Sequence, residues 1–271
     1  MERELRSQNA TRSVMKQVRS QLKDAEDLRL PTVERLRQSG PFESREQFVK
    51  SSLRNFRHLL RLTSVDPAHR VLDYGCGLGR LTIPLQAFLG AGGSYVGVDV
   101  DAAAIDYLAE LHPQPNFDFR HVNIHSTMYN DGGAGMSPSL EQLDLGDGFD
   151  VTFLFSVFTH ILPADMGPLL RFLERTLAPG GEILASFFVL NDTSIRGIDA
   201  GTSHRPFPFH IDGARIDNDE VPEGAVAYGE ADLLDHIEQA GLAVGHLSPG
   251  KWSGQVPDAW HWQDMLVLTR N

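Results

Sequence analysis

The sequence predicts an α/β domain built on a doubly wound, mostly parallel sheet. From about residue 70 onward, short apolar segments typical of buried strands alternate with amphipathic helical segments. Phe149–Phe155 is almost entirely apolar, as expected for a parallel strand covered on both faces. A glycine-rich turn joins the first strand to the next helix, where open α/β sheets bind ligands. The 271 residues, 41% of them hydrophobic, suit one large domain with an appendage.

Residues 1–65 predict a helical N-terminal cap that precedes this domain. Apolar residues recur at helical spacing, most clearly at Val49, Leu53, Phe56 and Leu60. Proline and glycine residues break the segment into two or three helices. Nothing in it has the alternation of a strand, so we expect only helices here.

Residues 66–271 form the predicted main domain. The predicted strands are Arg70–Tyr74, Ser94–Asp99, Asn116–Val122, Phe149–Phe155, Glu182–Val189, Leu242–Leu247 and an antiparallel C-terminal strand, Asp264–Thr269. The predicted helices are Leu81–Leu89, Ala102–Leu111, Asp165–Leu177 and Ala231–Ala240. Residues 126–148 and the turn at 179–181 should lack regular structure. Residues 190–229 show little periodicity, and long irregular segments tend to be lids, so we expect a covering loop there.

The charges are unevenly distributed along the chain. The net charge of −12 argues against a general nucleic-acid binder. Residues 1–61 hold 14 Lys and Arg against 8 Asp and Glu, a net charge of +6, and the other 210 residues hold 10 against 28, a net charge of −18. Because the basic residues interleave with apolar ones at helical spacing, we interpret them as solvated helix faces. A patch for an anionic partner is the alternative.

The composition predicts a cytoplasmic protein with no membrane partner. A single cysteine excludes a disulfide framework and fits a reducing compartment. The N-terminus has no apolar signal-peptide core, and no apolar run approaches the ~20 residues that span a bilayer.

The most informative motif is the turn after the first predicted strand. It reads Gly-Cys-Gly-Leu-Gly-Arg over residues 75–80 and is preceded by Asp73. The dinucleotide fingerprint G-x-G-x-x-G requires glycine where Arg80 stands. An acid before the turn would repel a pyrophosphate and would instead pair with an ammonium group. The turn therefore favours a ligand with a cationic group.

This pattern resembles motif I of the class I S-adenosylmethionine-dependent methyltransferases. A second acid, Asp99, ends the second predicted strand, and the likeness extends over about residues 68–190. It implies that the loop and Asp73 hold the methionine portion, that Asp99 accepts hydrogen bonds from the ribose hydroxyls, and that Asn123 borders the adenine. The residues it assigns to S-adenosyl-L-methionine are Asp73, Tyr74, Gly75, Cys76, Gly77, Gly79, Arg80, Asp99, Val100, Asn123, Ile124, Phe155 and Ser156. The chain is similar to a bacterial branch that modifies saccharides and secondary metabolites.

The segment after the fourth predicted strand distinguishes classes of methyl acceptor. It lacks the Pro-Pro of amino-methylases, the Pro-Cys of cytosine C5-methylases and the paired glutamates of arginine methylases. Ser156 stands where metal-dependent enzymes place an Asp, so we expect no metal. A hydroxyl of a small molecule remains, and a saccharide is the favoured acceptor. Such a hydroxyl needs a base, and His160 is the candidate; a histidine that packs beneath the cofactor is the alternative.

Further candidates for contacts with the acceptor lie in the irregular segments and the C-terminal tail. They are Tyr129, His204, His210 and Trp252, because aromatic and polar side chains together suit a sugar. The cap could also contribute to a homodimer. Several alternatives stay open: a nicotinamide oxidoreductase, a non-enzymatic binding module, an RNA methyltransferase that uses the basic cap, and a natural-product or lipid acceptor methylated at O, N or C.

Overall fold

The computed structural model describes residues 2–24, 29–38 and 42–271. The chain forms two compact units. The first extends to His121 and includes Phe149–Phe153, and the second comprises Val122–Gly148 and Leu154–Asn271.

The first unit contains four parallel strands. They are β1 (Arg70–Tyr74), β2 (Ser94–Asp99), β3 (Phe117–His121) and β4 (Phe149–Leu154). β1 pairs with β2 on one side and β4 on the other, and β3 pairs with β2, which gives the order β4-β1-β2-β3. Val71, Leu72 and Val98 are buried, as expected for strands covered on both faces. Because the strands are parallel, β1 and β2 end at the same edge.

The helices of the first unit include those predicted for the N-terminal segment. They are α1 (Glu2–Asp24), α2 (Val33–Gln38), α3 (Arg45–Leu62), α4 (Thr82–Phe88) and α5 (Ala102–Leu111). α3 begins after Ser44, whose hydroxyl accepts a hydrogen bond from the N–H of Gln47 at 3.2 Å, a normal N-cap. One face of α3 buries Phe48, Phe56 and Leu59. A separate cap domain ending at residue 65 stays a prediction.

The second unit contains two groups of strands. In the first group, β5 (Leu177–Phe187) pairs with β11 (Asp264–Arg270), and β11 pairs with β10 (Leu242–Ser248); both pairs are antiparallel. The other group is a small sheet in the order β6-β9-β8-β7. Its strands are β6 (Val189–Leu190), β7 (Phe209–Ile211), β8 (Ala214–Ile216) and β9 (Val226–Gly229). The predicted antiparallel C-terminal strand is therefore confirmed.

The helices of the second unit lie before, between and after these strands along the chain. They are α6 (Met136–Gln142), α7 (Pro163–Thr176), α8 (Asp192–Asp199) and α9 (Glu230–Gln239), with short 3₁₀ helices at Phe158–His160 and Pro222–Gly224. Throughout the described ranges, no helix has the length and apolar composition needed to cross a membrane.

The structure confirms the doubly wound, mostly parallel fold and corrects three local predictions. Residues 190–229 are not a structureless loop, because they contain α8, β7, β8 and β9. Residues 126–148, predicted to be irregular, contain α6. The predicted turn at 179–181 lies inside β5, which begins at Leu177. These elements are short, so their periodicity in the sequence is weak.

Candidate cofactor and acceptor sites

The glycine-rich turn of the first unit depends on backbone conformations that favour glycine. Gly75, Gly77 and Gly79 have φ angles of 82°, 52° and 72°. The N–H groups of Gly75 and Cys76 donate to the carbonyl of Val98 at 2.7 and 2.9 Å. The turn is thereby fixed to the end of β2.

Two of these glycines have different surroundings. A Cβ added at Gly79 would lie 2.8 Å from Cδ2 of Leu108 and 2.9 Å from Oγ1 of Thr82, so glycine is required there for packing. A Cβ added at Gly77 would meet no protein atom within 4 Å. Gly77 therefore borders open space into which a ligand can approach the backbone, as the resemblance requires.

Asp73 is a buried carboxylic acid near the carboxyl end of β1. Its side chain accepts a hydrogen bond from the hydroxyl of Tyr95 at 2.9 Å, and that hydroxyl accepts one from Thr82 at 3.1 Å. Burial raises the pKa of Asp73 to about 7, and the charge of Asp99 adds to this; the Tyr95 hydrogen bond and the charge of Arg80 act in the opposite direction. Asp73 can therefore change its charge near neutral pH.

Asp99 occupies the end of β2 and is held by the backbone. Its carboxylate accepts hydrogen bonds from the N–H of Gly77 at 2.7 Å and from the N–H of Asp101 at 3.0 Å. Burial raises its pKa, and these backbone hydrogen bonds oppose the effect. A carboxylate has about four lone-pair sites, so Asp99 can still accept hydrogen bonds from a ribose. Val100, which follows it, is half-buried.

The remaining predicted residues of the turn differ in how they could contact a ligand. Arg80 is linked to α3, because its carbonyl accepts a hydrogen bond from Ser52 and its guanidinium donates to Ser51 at 3.4 Å. The side chains of Tyr74 and Cys76 are buried. They pack in the core of this unit, and the backbone N–H of Cys76 is part of the glycine turn.

In the second unit, His160 ends a 3₁₀ helix that is fixed by several hydrogen bonds. Its Nδ1 lies 2.8 Å from the carbonyl oxygen of Glu223. The buried hydroxyl of Tyr228 lies 2.8 Å from the carbonyl oxygen of Phe158 and also contacts that of Ile161. Burial lowers the pKa of His160, and the hydrogen bond to Glu223 partly opposes this. The imidazole is therefore held in place and favours its neutral form.

Glu223 also connects His160 to the loop that bears Tyr129. Its carboxylate accepts a hydrogen bond from the N–H of Thr127 at 2.8 Å. Burial and the charge of Glu223 raise the pKa of Asp165, in the first turn of α7. Tyr129, two residues after Thr127, is 47% exposed and can contact an acceptor from solvent.

Ser156 has a strained backbone. Its φ of 61° is in the left-handed region, which is uncommon for a residue with a Cβ and is often found at functional sites. Its N–H donates to Ser186 at 2.8 Å, and its hydroxyl donates to Gln263 at 3.0 Å. Phe155 before it is half-buried. These contacts hold Ser156 in one orientation.

Asn123 and Ile124 begin a loop that is braced internally. The side-chain oxygen of Asn123 accepts a hydrogen bond from the amide of Asn130 at 3.1 Å, and its carbonyl accepts one from Ser139 at 2.8 Å. Asn123 is exposed, whereas the side chain of Ile124 is buried. Asn123 is thus available to a ligand, and Ile124 only through its backbone.

The structure separates the four predicted acceptor residues. His204 and His210 are exposed, and the ring of His204 lies 5.1 Å from that of the exposed Trp262. Trp252 is 0% exposed, and its indole N–H donates to Asp264 at 2.8 Å. Trp252 belongs to the core, and its contact with an acceptor stays a prediction.

Several residues that shape these sites were not predicted from the sequence. They are Tyr95, Glu223, Tyr228 and Gln263. Tyr95 has the appearance of an ordinary core residue of β2, and its bond to Asp73 spans 22 residues of sequence. Glu223 and His160 are 63 residues apart, so no local pattern could connect them.

The comparisons with known proteins agree with the glycine-turn geometry. Residues 72–183 match the family model described as a methyltransferase domain. This match supports the predicted likeness to the class I S-adenosylmethionine-dependent methyltransferases over these residues. S-adenosylmethionine is accordingly supported as the cofactor.

Two curated relatives match part of this chain. The chain is 37% identical over 125 residues to an arsenite methyltransferase of Aquipseudomonas alcaligenes. This match covers 43% of this chain and 32% of the relative. The chain is 33% identical over 140 residues to a ubiquinone biosynthesis O-methyltransferase of Azorhizobium caulinodans. This second match covers 51% of this chain and 48% of the relative. The matches thus span less than half the length of both relatives.

The fold of this chain is also found in a solved structure. The crystal structure of the PH0226 protein from Pyrococcus horikoshii OT3 aligns with a TM-score of 0.54 over 88% of this chain and 98% of the other. The sequence identity is 16%, so this likeness concerns the fold.

Proposed function

We propose that the protein transfers the methyl group of S-adenosylmethionine to a hydroxyl group of a small molecule, with His160 as the general base. The observation that carries the proposal is the 2.8 Å contact between Nδ1 of His160 and the carbonyl of Glu223. A carbonyl only accepts hydrogen bonds, so Nδ1 carries the proton and Nε2 keeps its lone pair. Among the described residues, Nε2 has no hydrogen-bond partner. It is therefore available to accept a proton.

The electrostatics of His160 support the same role. A general base must be deprotonated at the working pH, and burial lowers the pKa of this imidazole. At pH 7 the neutral form thus predominates. The bound cofactor supplies an electrophilic sulfonium methyl group. As the acceptor oxygen forms its bond to that methyl group, the methyl–sulfur bond would break and S-adenosylhomocysteine would leave. Nε2 of His160 would take the hydroxyl proton and later return it to solvent.

The first unit supplies the residues that hold the cofactor. Gly77 permits a close approach to the backbone, and Asp73 and Asp99 present carboxyl groups at the ends of two neighbouring strands. We assign Asp73 to the cationic methionine portion and Asp99 to the ribose hydroxyls. These assignments fit a ligand that carries both a positive charge and a diol.

A saccharide is the acceptor that we favour. Tyr129 and Trp262 are exposed, and His204 contacts Trp262, so aromatic faces lie beside polar groups as sugar binding requires. The Azorhizobium relative is named as an O-methyltransferase. We do not carry over the arsenite acceptor of the other relative, because arsenite favours thiolate ligands and burial raises the pKa of Cys76, the only cysteine.

The test is a transfer assay with S-adenosylmethionine labelled in its methyl group. The purified chain is incubated with saccharides, phenols and amines, and the products are analysed by mass spectrometry. We expect the label on a hydroxyl oxygen, and we expect His160→Ala to lose turnover while it retains affinity for S-adenosylhomocysteine. Methylation of amines alone would contradict the proposed acceptor, and full activity of His160→Ala would contradict the proposed base.

A further inference from the structure

The two long N-terminal helices line an open cavity that the methyl-transfer proposal does not use. It has a volume of about 730 Å³ and lies between α1 and α3. Its lining residues are Thr11, Arg12, Met15, Lys16, Arg19, Ser20, Arg57 and Arg61. The volume is within the roughly 300–1,000 Å³ of small-molecule sites.

The cavity concentrates positive charge. Five of its lining residues are Lys or Arg, and none is Asp or Glu. Arg12, Lys16 and Arg19 recur at helical spacing along one face of α1, and Arg57 and Arg61 do so along α3. Like charges at these spacings repel each other and destabilise a helix. Binding of an anion would relieve this repulsion.

Four of the five cations of this cavity differ from Lys50 of α3 in having no acidic partner among the described residues. Within the ranges that the structure describes, Arg12, Lys16, Arg19 and Arg57 form no hydrogen bond or ion pair. By contrast, Lys50 on α3 pairs with Glu46 at 2.8 Å. These four charged groups are therefore available to a ligand.

The charge of the rest of the chain limits the size of that ligand. Residues 62–271 carry a net charge of −18, which repels an extended polyanion such as RNA or an anionic bilayer. A small ligand held within the cavity is mainly affected by charges inside a Debye length of about 8 Å. Guanidinium groups match phosphate oxygens well, and the hydroxyls of Thr11 and Ser20 add donors.

We infer that the cavity between α1 and α3 binds a small soluble polyanion that carries two or more phosphate groups. The inference concerns residues outside the glycine turn and does not depend on the identity of the methyl acceptor.

The experiment uses inorganic tripolyphosphate as the probe. It is titrated into the full chain by calorimetry at low and at physiological ionic strength. We expect one site per chain, with affinity that weakens as salt rises. Lys16→Ala and Arg57→Ala should each weaken binding about tenfold, and the double charge reversal Lys16→Glu/Arg57→Glu should abolish it. Lys50→Ala is the matched control, because Lys50 is exposed on α3 but does not line the cavity; it should bind normally.

Three results would overturn the inference. They are the absence of tripolyphosphate binding, equal binding by the cavity variants and the wild type, and binding of an RNA oligonucleotide or anionic vesicles but not of tripolyphosphate. The affinity of each variant for S-adenosylhomocysteine is measured in parallel and should be unchanged. That measurement shows that the variants are folded and separates failure of this inference from failure of the proposed function.

Discussion

Affinity for the cofactor should depend on pH through Asp73. The pKa of this buried acid is about 7 without a ligand, and a neighbouring ammonium group favours its ionised form. Binding of a cationic ligand therefore lowers the pKa of Asp73 and releases a proton. About nine-tenths of Asp73 is ionised at pH 8 and about one-tenth at pH 6, as follows from a pKa near 7. If the ligand binds only the ionised form, affinity falls about tenfold between these pH values.

The assay is calorimetric titration with S-adenosylhomocysteine from pH 6 to pH 8 in buffers that differ in ionisation enthalpy. Wild-type protein should release a proton on binding at pH 7. Asp73→Asn has nearly the same shape but no charge, so its affinity should be weak and independent of pH in this range. Equal wild-type affinity at pH 6 and pH 8 would refute the reasoning. A pH dependence that persists in Asp73→Asn would assign the effect to another group, such as Asp99.

The same pKa has a consequence for stability. Since the folded-state pKa of Asp73 lies above its ordinary value, the folded chain binds the proton more tightly than the unfolded chain. The contribution of Asp73 to the free energy of unfolding is therefore fully present below about pH 4 and declines as pH rises toward 7. A bound cationic ligand offsets this cost.

Three further predictions address single residues. Gly77→Val should abolish binding of S-adenosylhomocysteine in a folded protein, because the valine side chain would fill the open space beside the turn that we assign to the ligand. Normal affinity in calorimetry would show that the ligand binds elsewhere. Asp99→Ala should weaken that binding by roughly 1.5–3 kcal/mol, whereas Asp118→Ala, which removes an exposed carboxylate, should not. Tyr228→Phe should lower the free energy of unfolding by about 1–3 kcal/mol in denaturant titrations, because it removes the buried hydroxyl that donates to the carbonyl groups of Phe158 and Ile161; an unchanged midpoint would contradict this.

Local sequence signals predicted the first unit well. The observed bounds of β2 and α5 are the predicted ones. β2 ends at the acidic residue Asp99. α5 begins after Asp101, an N-cap residue whose side chain accepts hydrogen bonds from the N–H groups of Ala103 and Ala104. The glycine turn was equally evident, since its positive φ angles require glycine at fixed positions.

Contacts between residues that are far apart in the sequence could not be predicted from it. β7 and β8 have three residues each, too few to show a period, and their conformation depends on pairing with each other and with β9. For the same reason, the tautomer of His160 could not be predicted, because it depends on a carbonyl 63 residues away. Position along the chain suggested a histidine base but gave no indication of which nitrogen is available.

Asp73 and His160 should titrate in different pH ranges, and kinetics can separate them. The pKa of Asp73 is about 7, whereas burial lowers that of His160 below its ordinary value. At subsaturating S-adenosylmethionine, we expect the rate to rise with pH through about 7 as Asp73 ionises. Saturating cofactor should remove this dependence, and the remaining rise should occur below about pH 6.5 as His160 loses its proton. A rise near pH 7 that persists at saturating cofactor in both wild type and Asp73→Asn would contradict both assignments.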